Sequence, residues 1–224
     1  LISPKKRSTD LLIFGGTGLR RILEFCIGVK VEYRGLENLI KGPCIIASKH
    51  QAAYETFMLF NSFYNRAVYV LKAEIARVYP YLALMYKNYE GGIKIKRQDG
   101  VKALIKMEQE ALRILKEGRQ FVIFPEGTRI AFGETAPFKR GVERVYAKAN
   151  VPVIPVALNT GSIMPRNSFL NYPGKIIIEF LPPIASGLDK EVFMQTLKLQ
   201  IDHATKKLEQ ETPCNYYLKK QKFC

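Results

Sequence analysis

His50 stands five positions before Glu55, and further along the chain comes the string Phe124-Pro125-Glu126-Gly127-Thr128-Arg129. A histidine with a nearby carboxylate is the minimum equipment for taking a proton from a hydroxyl. An alcohol ionises too weakly near neutral pH to react unaided, so it needs a base within hydrogen-bonding reach. Imidazole titrates at about 6.5 and suits that task. A carboxylate on its other ring nitrogen orients it and stabilises the imidazolium that forms. The hexapeptide supplies a different tool. Gly127 lets the backbone approach a ligand closely, and Arg129 brings a guanidinium that can grip an anion in two places. Glu126 either shapes that loop or pairs internally with Arg129. Together these residues point to chemistry on a hydroxyl whose carrier is negatively charged.

The spacing constrains the elements that position them. Five residues along a regular helix would set two side chains about 140° apart. His50 and Glu55 therefore meet only if His50 sits in a turn and Glu55 in the first turn of a helix. The apolar run at residues 44–47 predicts a buried strand just before His50, and Phe57, Met58 and Phe60 belong to the helix after it. Residues 121–124 predict a second strand that runs directly into the Pro125-Glu126-Gly127 turn. Further strands are expected at 29–34, 68–71, 153–158 and 175–180. Asp99 suits the N-cap of a helix ending at Gly118, with Leu104, Ile105, Ala111, Leu112 and Leu115 on its apolar face. A last helix is expected over 189–208. Strands alternating with helices predict an α/β fold: a mixed, largely parallel sheet flanked by helices, in a single domain. In such sheets ligands gather beyond the carboxyl ends of the strands, where both His50 and Glu126 fall.

Other residues are weaker candidates. In Gly91-Gly92-Ile93-Lys94-Ile95-Lys96-Arg97, Arg97 has the chemistry to hold a phosphate, although lysines on an edge strand also discourage aggregation. Lys139, in Phe138-Lys139-Arg140-Gly141, either joins the same anion site or lies in a solvated turn before a helix at 142–149. His203, beside Asp202, is expected at the surface. The segment from 151 to 156, with Pro152 and Pro155, is expected to be structural.

The 224 residues suffice for a sizeable core, and 47% hydrophobic with 25% charged content is ordinary for a globular protein. The charge is less ordinary: 35 basic against 20 acidic side chains leave +15. Partners with negative charge follow, and no zinc-finger spacing or aromatic RNA-binding motif favours nucleic acid among them. Apolar and aromatic residues accompany the charges, so an anionic membrane surface fits better. The four cysteines form no Cys-x-x-Cys pair, which argues for free thiols in a reducing compartment and against a metal site. No apolar run approaches the roughly 18–20 residues that cross a bilayer. Residues 1–30 form a basic segment, with an amphipathic helix expected from about Thr17 to Val29. Residues 31–211 form the main domain, and 212–224 a basic tail. The chain opens at Leu1, which leaves room for a preceding membrane anchor.

Taken in order, these blocks resemble the glycerolipid acyltransferase family, and within it the bacterial 1-acylglycerol-3-phosphate acyltransferases. The His-x-x-x-x-Asp block of that family corresponds to His50–Glu55, and its Gly-x-x-x-x-x-Arg block to Gly91–Arg97. Its Phe-Pro-Glu-Gly-Thr-Arg block is intact at 124–129, as is Val-Pro-Val-x-Pro-Val at 151–156. Lys72-Ala73-Glu74 resembles a further Lys-x-Glu element, and the match runs from about residue 31 to 185. Two departures stand out. Glu55 replaces the usual aspartate, which lengthens by one methylene the arm that steers His50. Lys94 and Lys96 stand where an aromatic and an acid are common.

The resemblance implies acyl transfer from acyl-CoA or acyl-acyl carrier protein to the 2-hydroxyl of lysophosphatidic acid, giving phosphatidic acid. His50 would be the general base and Glu55 its orienting partner. Lys72, Arg97 and Arg129 would hold the acceptor's phosphate, with Lys139 in support and Glu126, Gly127 and Thr128 forming the pocket. No acyl-enzyme, metal or bound cofactor is implied. The family also implies an interfacial enzyme on the cytoplasmic face of the cell membrane. Another phosphate-bearing acceptor such as glycerol 3-phosphate, thioester hydrolysis, and a non-catalytic basic lipid-binding module are the competing readings.

Overall fold

Short runs of β-branched and other apolar residues form the strands. They are β1 (Val29–Arg34), β2 (Ile45–Ser48), β3 (Ala67–Lys72), β4 (Gly92–Ile95), β5 (Gln120–Ile123), β6 (Val153–Leu158) and β7 (Gly174–Phe180). Between and after them lie helices α1 (Glu55–Ser62), α2 (Gly100–Lys116), α3 (Arg140–Ala149) and α4 (Lys190–Glu211). The computed structural model describes residues 18, 21–62, 67–72, 92–95, 100–168 and 170–212. Asp99, Arg97 and the tail after Pro213 lie outside those residues.

The strands make one seven-stranded sheet in the order β1-β7-β6-β2-β5-β3-β4. Neighbours are parallel except β6 with β7. This is the mixed, largely parallel α/β sheet that the alternation of patterns predicts. Strands β2, β5 and β6 are buried along their whole length, as expected of strands covered on both faces. Pro155 is tolerated inside β6 because the ladder to β7 begins one residue later, at Val156. Its carbonyl still accepts from Leu181 N–H at 2.9 Å.

Side-chain alternation divides the core in two. Cys44 and Ile46 face α1, where they pack with Tyr54, Met58 and Leu59. Ile45 and Ala47 face the other way, onto Ala111, Val142, Val145, Phe193 and Leu197 of α2, α3 and α4. Burial pushes the Cys44 thiol up to about 12, so it packs as a small apolar group and offers no thiolate.

The face of α2 differs from the one the sequence predicts. Ala103, Met107, Ala111, Ile114 and Leu115 are buried, whereas Ile105 is exposed. The helix is rolled because buried Glu108 has partners on α3: it accepts from Arg144 Nε at 2.6 Å and also pairs with Lys148. Lys148, then Arg144, hold the Glu108 carboxyl below its ordinary range against the effect of burial. A depressed folded value contributes stability above the unfolded value, about 4.3 for glutamate, and that contribution is lost as pH falls through the folded one. Glu108→Gln should therefore lower Tm at neutral pH by an amount worth about 1 kcal/mol or less, since both cations are partly exposed. The gap to the unmodified protein should close below the ordinary glutamate range in a series of thermal melts. A gap that does not change with pH would refute the assignment.

Gly118, with φ of 77°, ends α2 in the left-handed region as its position predicts. Asp189 caps α4, accepting from Glu191 N–H at 2.9 Å. At the N-terminal end, a π-helical turn spans Leu23–Ile27 and breaks at Gly28, where φ is 73°. The expected amphipathic helix thus stops before Val29, which belongs to β1; Thr17 lies outside the described residues. Ile27 packs on the core while Ile22 and Phe25 point outward. Among the described residues no helix is long and apolar enough to cross a membrane.

Candidate active site

Strands β6, β2, β5, β3 and β4 are adjacent and mutually parallel, so their carboxyl ends share one edge of the sheet. Each end carries a residue of chemical interest or leads directly to one. His50 follows β2, the hexapeptide follows β5, Lys72 closes β3, Arg97 comes two positions after β4, and Thr160 follows β6. The main-chain position of Lys72 is described, though not its side chain, and Arg97 falls outside the described residues.

The chain leaves β2 at Ser48, turns through Lys49, His50 and Gln51, and enters α1 at Glu55. This is the strand–turn–helix that the His50–Glu55 spacing requires. Glu55 folds back over the turn, and its Oε2 lies 2.7 Å from His50 Nδ1. Its Oε1 accepts from the main-chain N–H of Gln51 at 2.7 Å and of Ala52 at 2.6 Å. The Thr160 hydroxyl donates to the same oxygen. The extra methylene relative to aspartate is thus absorbed by a carboxylate that caps its own turn. Glu55 is fully buried, whereas the His50 side chain is 19% exposed. With Glu55 ionised, Nδ1 carries the ring proton and Nε2 is left as the basic nitrogen. The imidazole also stacks on Phe124, centroid to centroid 4.1 Å, with 20° between the rings.

The loop after β5 is fastened to the same turn. Gly127 N–H donates to Phe124 O at 2.9 Å, with Gly127 at φ of 67°. Ile130 N–H donates to His50 O at 2.7 Å, and His50 N–H donates to Glu126 Oε2 at 3.0 Å. Glu126 is not beside Arg129, the internal partner considered from sequence. It points inward, and its Oε1 accepts from Lys49 Nζ at 2.5 Å with both side chains buried. Lys49 donates further to Glu134 O at 3.1 Å. Burial pushes the Glu126 carboxyl up, opposed by the Lys49 ammonium and the His50 N–H. The inward orientation has a simple cause: a buried ammonium needs a carboxylate, and Glu126 is its nearest. Arg129 is exposed and Thr128 half-buried at the mouth of the loop. Lys139 lies alongside, its N–H donating to Pro125 O at 2.7 Å and its Cγ 3.4 Å from where a Gly127 side chain would begin.

The structure therefore joins His50, Glu55, Glu126, Gly127, Thr128, Arg129 and Lys139 in one region. It adds Lys49, Gln51 and Thr160, which the motif spacing did not select. Gln51 accepts from Gly161 N–H at 2.9 Å and donates to Glu209 of α4 at 2.8 Å. The one available signal was positional, since Lys49 directly follows β2 and Thr160 comes two positions after β6, both strands ending at this edge. His203 is exposed on α4, as expected, and with Lys49 lines a cavity of about 540 Å³. Among the described residues no group of His, Cys, Asp and Glu side chains is placed to hold a metal ion.

Such a site, a buried carboxylate bonded to a half-buried imidazole beside a basic glycine loop at the carboxyl edge of parallel strands, has the chemistry to take a proton next to an anion. A family model for acyltransferases matches residues 30–159, more than half of the chain, and the chain belongs to that family. The resemblance read from the motif blocks is thereby borne out. The chain is 38% identical over 159 residues to a 1-acyl-sn-glycerol-3-phosphate acyltransferase of Pseudomonas aeruginosa, covering 69% of this chain and 59% of that protein. It is 30% identical over 188 residues to the Borreliella burgdorferi protein of the same name, covering 81% of this chain and 73% of that protein. With the human beta form it shares 31% over 143 residues, covering 63% and 51%. The chain thus spans roughly half to three-fifths of the length of several curated relatives it matches. The crystal structure of the 1-acyl-sn-glycerophosphate acyltransferase of Thermotoga maritima superimposes with a TM-score of 0.75, covering 92% of this chain and 81% of that one. At 21% identity that likeness concerns the fold alone.

Proposed function

We propose that this chain transfers an acyl group from a thioester, acyl-CoA or acyl-acyl carrier protein, to the sn-2 hydroxyl of lysophosphatidic acid, releasing the thiol and phosphatidic acid. The single observation that supports this most is the 2.7 Å contact between His50 Nδ1 and a Glu55 carboxylate whose other oxygen is already saturated with donors. The names of the relatives support the choice of acceptor. His50 Nε2 takes the acceptor's hydroxyl proton as the oxygen attacks the thioester carbonyl. The tetrahedral intermediate collapses with cleavage of the carbon–sulfur bond. The proton held on the imidazolium then neutralises the departing thiolate, so the side chain returns to its starting state. Nothing in this sequence of steps calls for a covalent acyl-enzyme, a metal or a resident cofactor.

Arg129 and Lys139 supply cations beside the glycine turn, and by family resemblance Lys72 and Arg97 add theirs from the ends of β3 and β4. Cations of this kind suit a phosphate monoester. The net charge of +15 suits acidic thioester donors and an anionic bilayer alike. Outward-facing Ile22 and Phe25 near Arg21 would seat the N-terminal turn on the cytoplasmic face of the cell membrane. Offering labelled acyl-CoA with a panel of lyso-acceptors tests the substrate directly: lysophosphatidic acid should be the preferred acceptor, and preference for a phosphate-free one would overturn the reading.

Arg129→Ala should raise the acceptor KM about tenfold or more while lowering kcat less, because a phosphate is held alike in ground and transition states. Steady-state kinetics with varied lysophosphatidic acid measure this, and an unchanged KM would remove Arg129 from the phosphate site.

A further inference from the structure

We propose that Thr160, outside every motif block, is a positioning residue that fixes the Glu55 carboxylate so that a single oxygen faces His50. The inference rests on the acyl-transfer reading for its kinetic consequence, though not for its electrostatic one.

Glu55 is fully buried, and three donors converge on its Oε1: Gln51 N–H, Ala52 N–H and the Thr160 hydroxyl. The two main-chain donors come from the same turn as His50 and move with it. Thr160 comes from a different part of the fold. It opens the 3₁₀ turn Thr160–Ser162 after β6, and it is buried. That turn has anchors outside the His50 loop: Asn159 accepts from Ile177 N–H at 2.7 Å and donates to Lys175 O at 3.0 Å, both on β7. Gly161 packs so closely on Gln51 that a side chain there would meet Gln51 Oε1 at 3.2 Å. Thr160 therefore ties the carboxylate to β6 and β7 of the sheet rather than to its own loop.

The electrostatic consequence has a definite sign. A hydroxyl donated to a carboxylate stabilises its charged form and withdraws charge from the oxygen facing the ring. Without it, the buried carboxylate becomes the stronger base and holds a proton on the His50–Glu55 pair more tightly. Among the described residues, the other titratable groups in the surroundings are Glu126 and Lys49, from the β5 loop and the β2 turn, and Glu209 of α4, reached through Gln51. None of them changes when Thr160 is altered.

The test compares Thr160→Val and Thr160→Ser. Valine keeps the shape and removes the donor, and serine keeps the donor. With valine, kcat should fall about tenfold while the acceptor KM stays within about twofold, and the acidic limb of the pH profile should move up by about half a pH unit or more. Serine should restore both. NMR titration of His50 in the two variants reads the same displacement without any turnover. An inactive unmodified enzyme would thus sink the acyl-transfer reading alone. If valine disturbs folding, Thr160→Ala against Thr160→Ser gives the same comparison. Wild-type kinetics and an unmoved His50 titration in the donor-less variant, or equal impairment with serine, would overturn the assignment.

Discussion

His50→Ala is expected to lower acyl transfer about a thousandfold, with thermal stability and vesicle binding nearly unchanged. The size of the loss follows from the role: among the described residues no other group is placed to take the hydroxyl proton with its conjugate acid stabilised by Glu55. The small effect on folding follows from the contacts. The bonds by which His50 itself fastens this turn to the β5 loop are made by its main chain, through its N–H to Glu126 and its carbonyl to Ile130. Alanine keeps both. The side chain contributes its stack on Phe124 and its bond to Glu55, and it is partly exposed. Parallel rate assays, melts and vesicle sedimentation decide the matter. Loss of activity and of Tm together would assign the residue to folding instead.

The second large effect is on stability. Lys49→Met would strand the Glu126 carboxylate in the interior, where Lys49 is its countercharge. Removing one partner of a buried pair costs about 3–5 kcal/mol because the other charge stays uncompensated. The double variant Lys49→Met/Glu126→Gln should recover much of that loss. Burial already holds the Glu126 carboxyl above its ordinary range, with Lys49 opposing, so loss of Lys49 raises it further. A folded value above the unfolded one gives stability that is fully present below the unfolded value and is lost as pH rises through the folded one. The deficit of Lys49→Met should therefore grow from acid towards neutral pH, as the gap of Glu108→Gln does, although here the variant raises a carboxyl whereas there it removes one that is held low. Urea denaturation across that range measures it, and a deficit that is flat with pH, or a double variant no better than the single, would refute the pairing.

These cases mark where the sequence is readable. Strands β1 and β6 fall at the residues that their patterns predict, because alternation in β1, an edge strand, and the continuous apolar run in β6, a covered one, both show in a short window. The His50–Glu55 geometry is readable too, since the two lie in one turn and helix periodicity allows only one arrangement. Glu126 is different. In sequence its neighbour is Arg129, yet its partner Lys49 lies 77 positions away, and Thr160 lies 105 from Glu55. Those partnerships exist only because β2, β5 and β6 are adjacent in the sheet, and strand order leaves no local trace. The roll of α2 has the same origin. Its apolar residues permit more than one face, and Glu108 chooses by reaching cations on α3.

The most direct test of the mechanism is thiol release from acyl-CoA by the purified protein, followed with and without lysophosphatidic acid. If His50 acts on the acceptor's hydroxyl, release should be slow alone and rise steeply with acceptor, in step with phosphatidic acid formed. Equal rates in both reactions would mean that His50 activates water and that the chain is a thioester hydrolase.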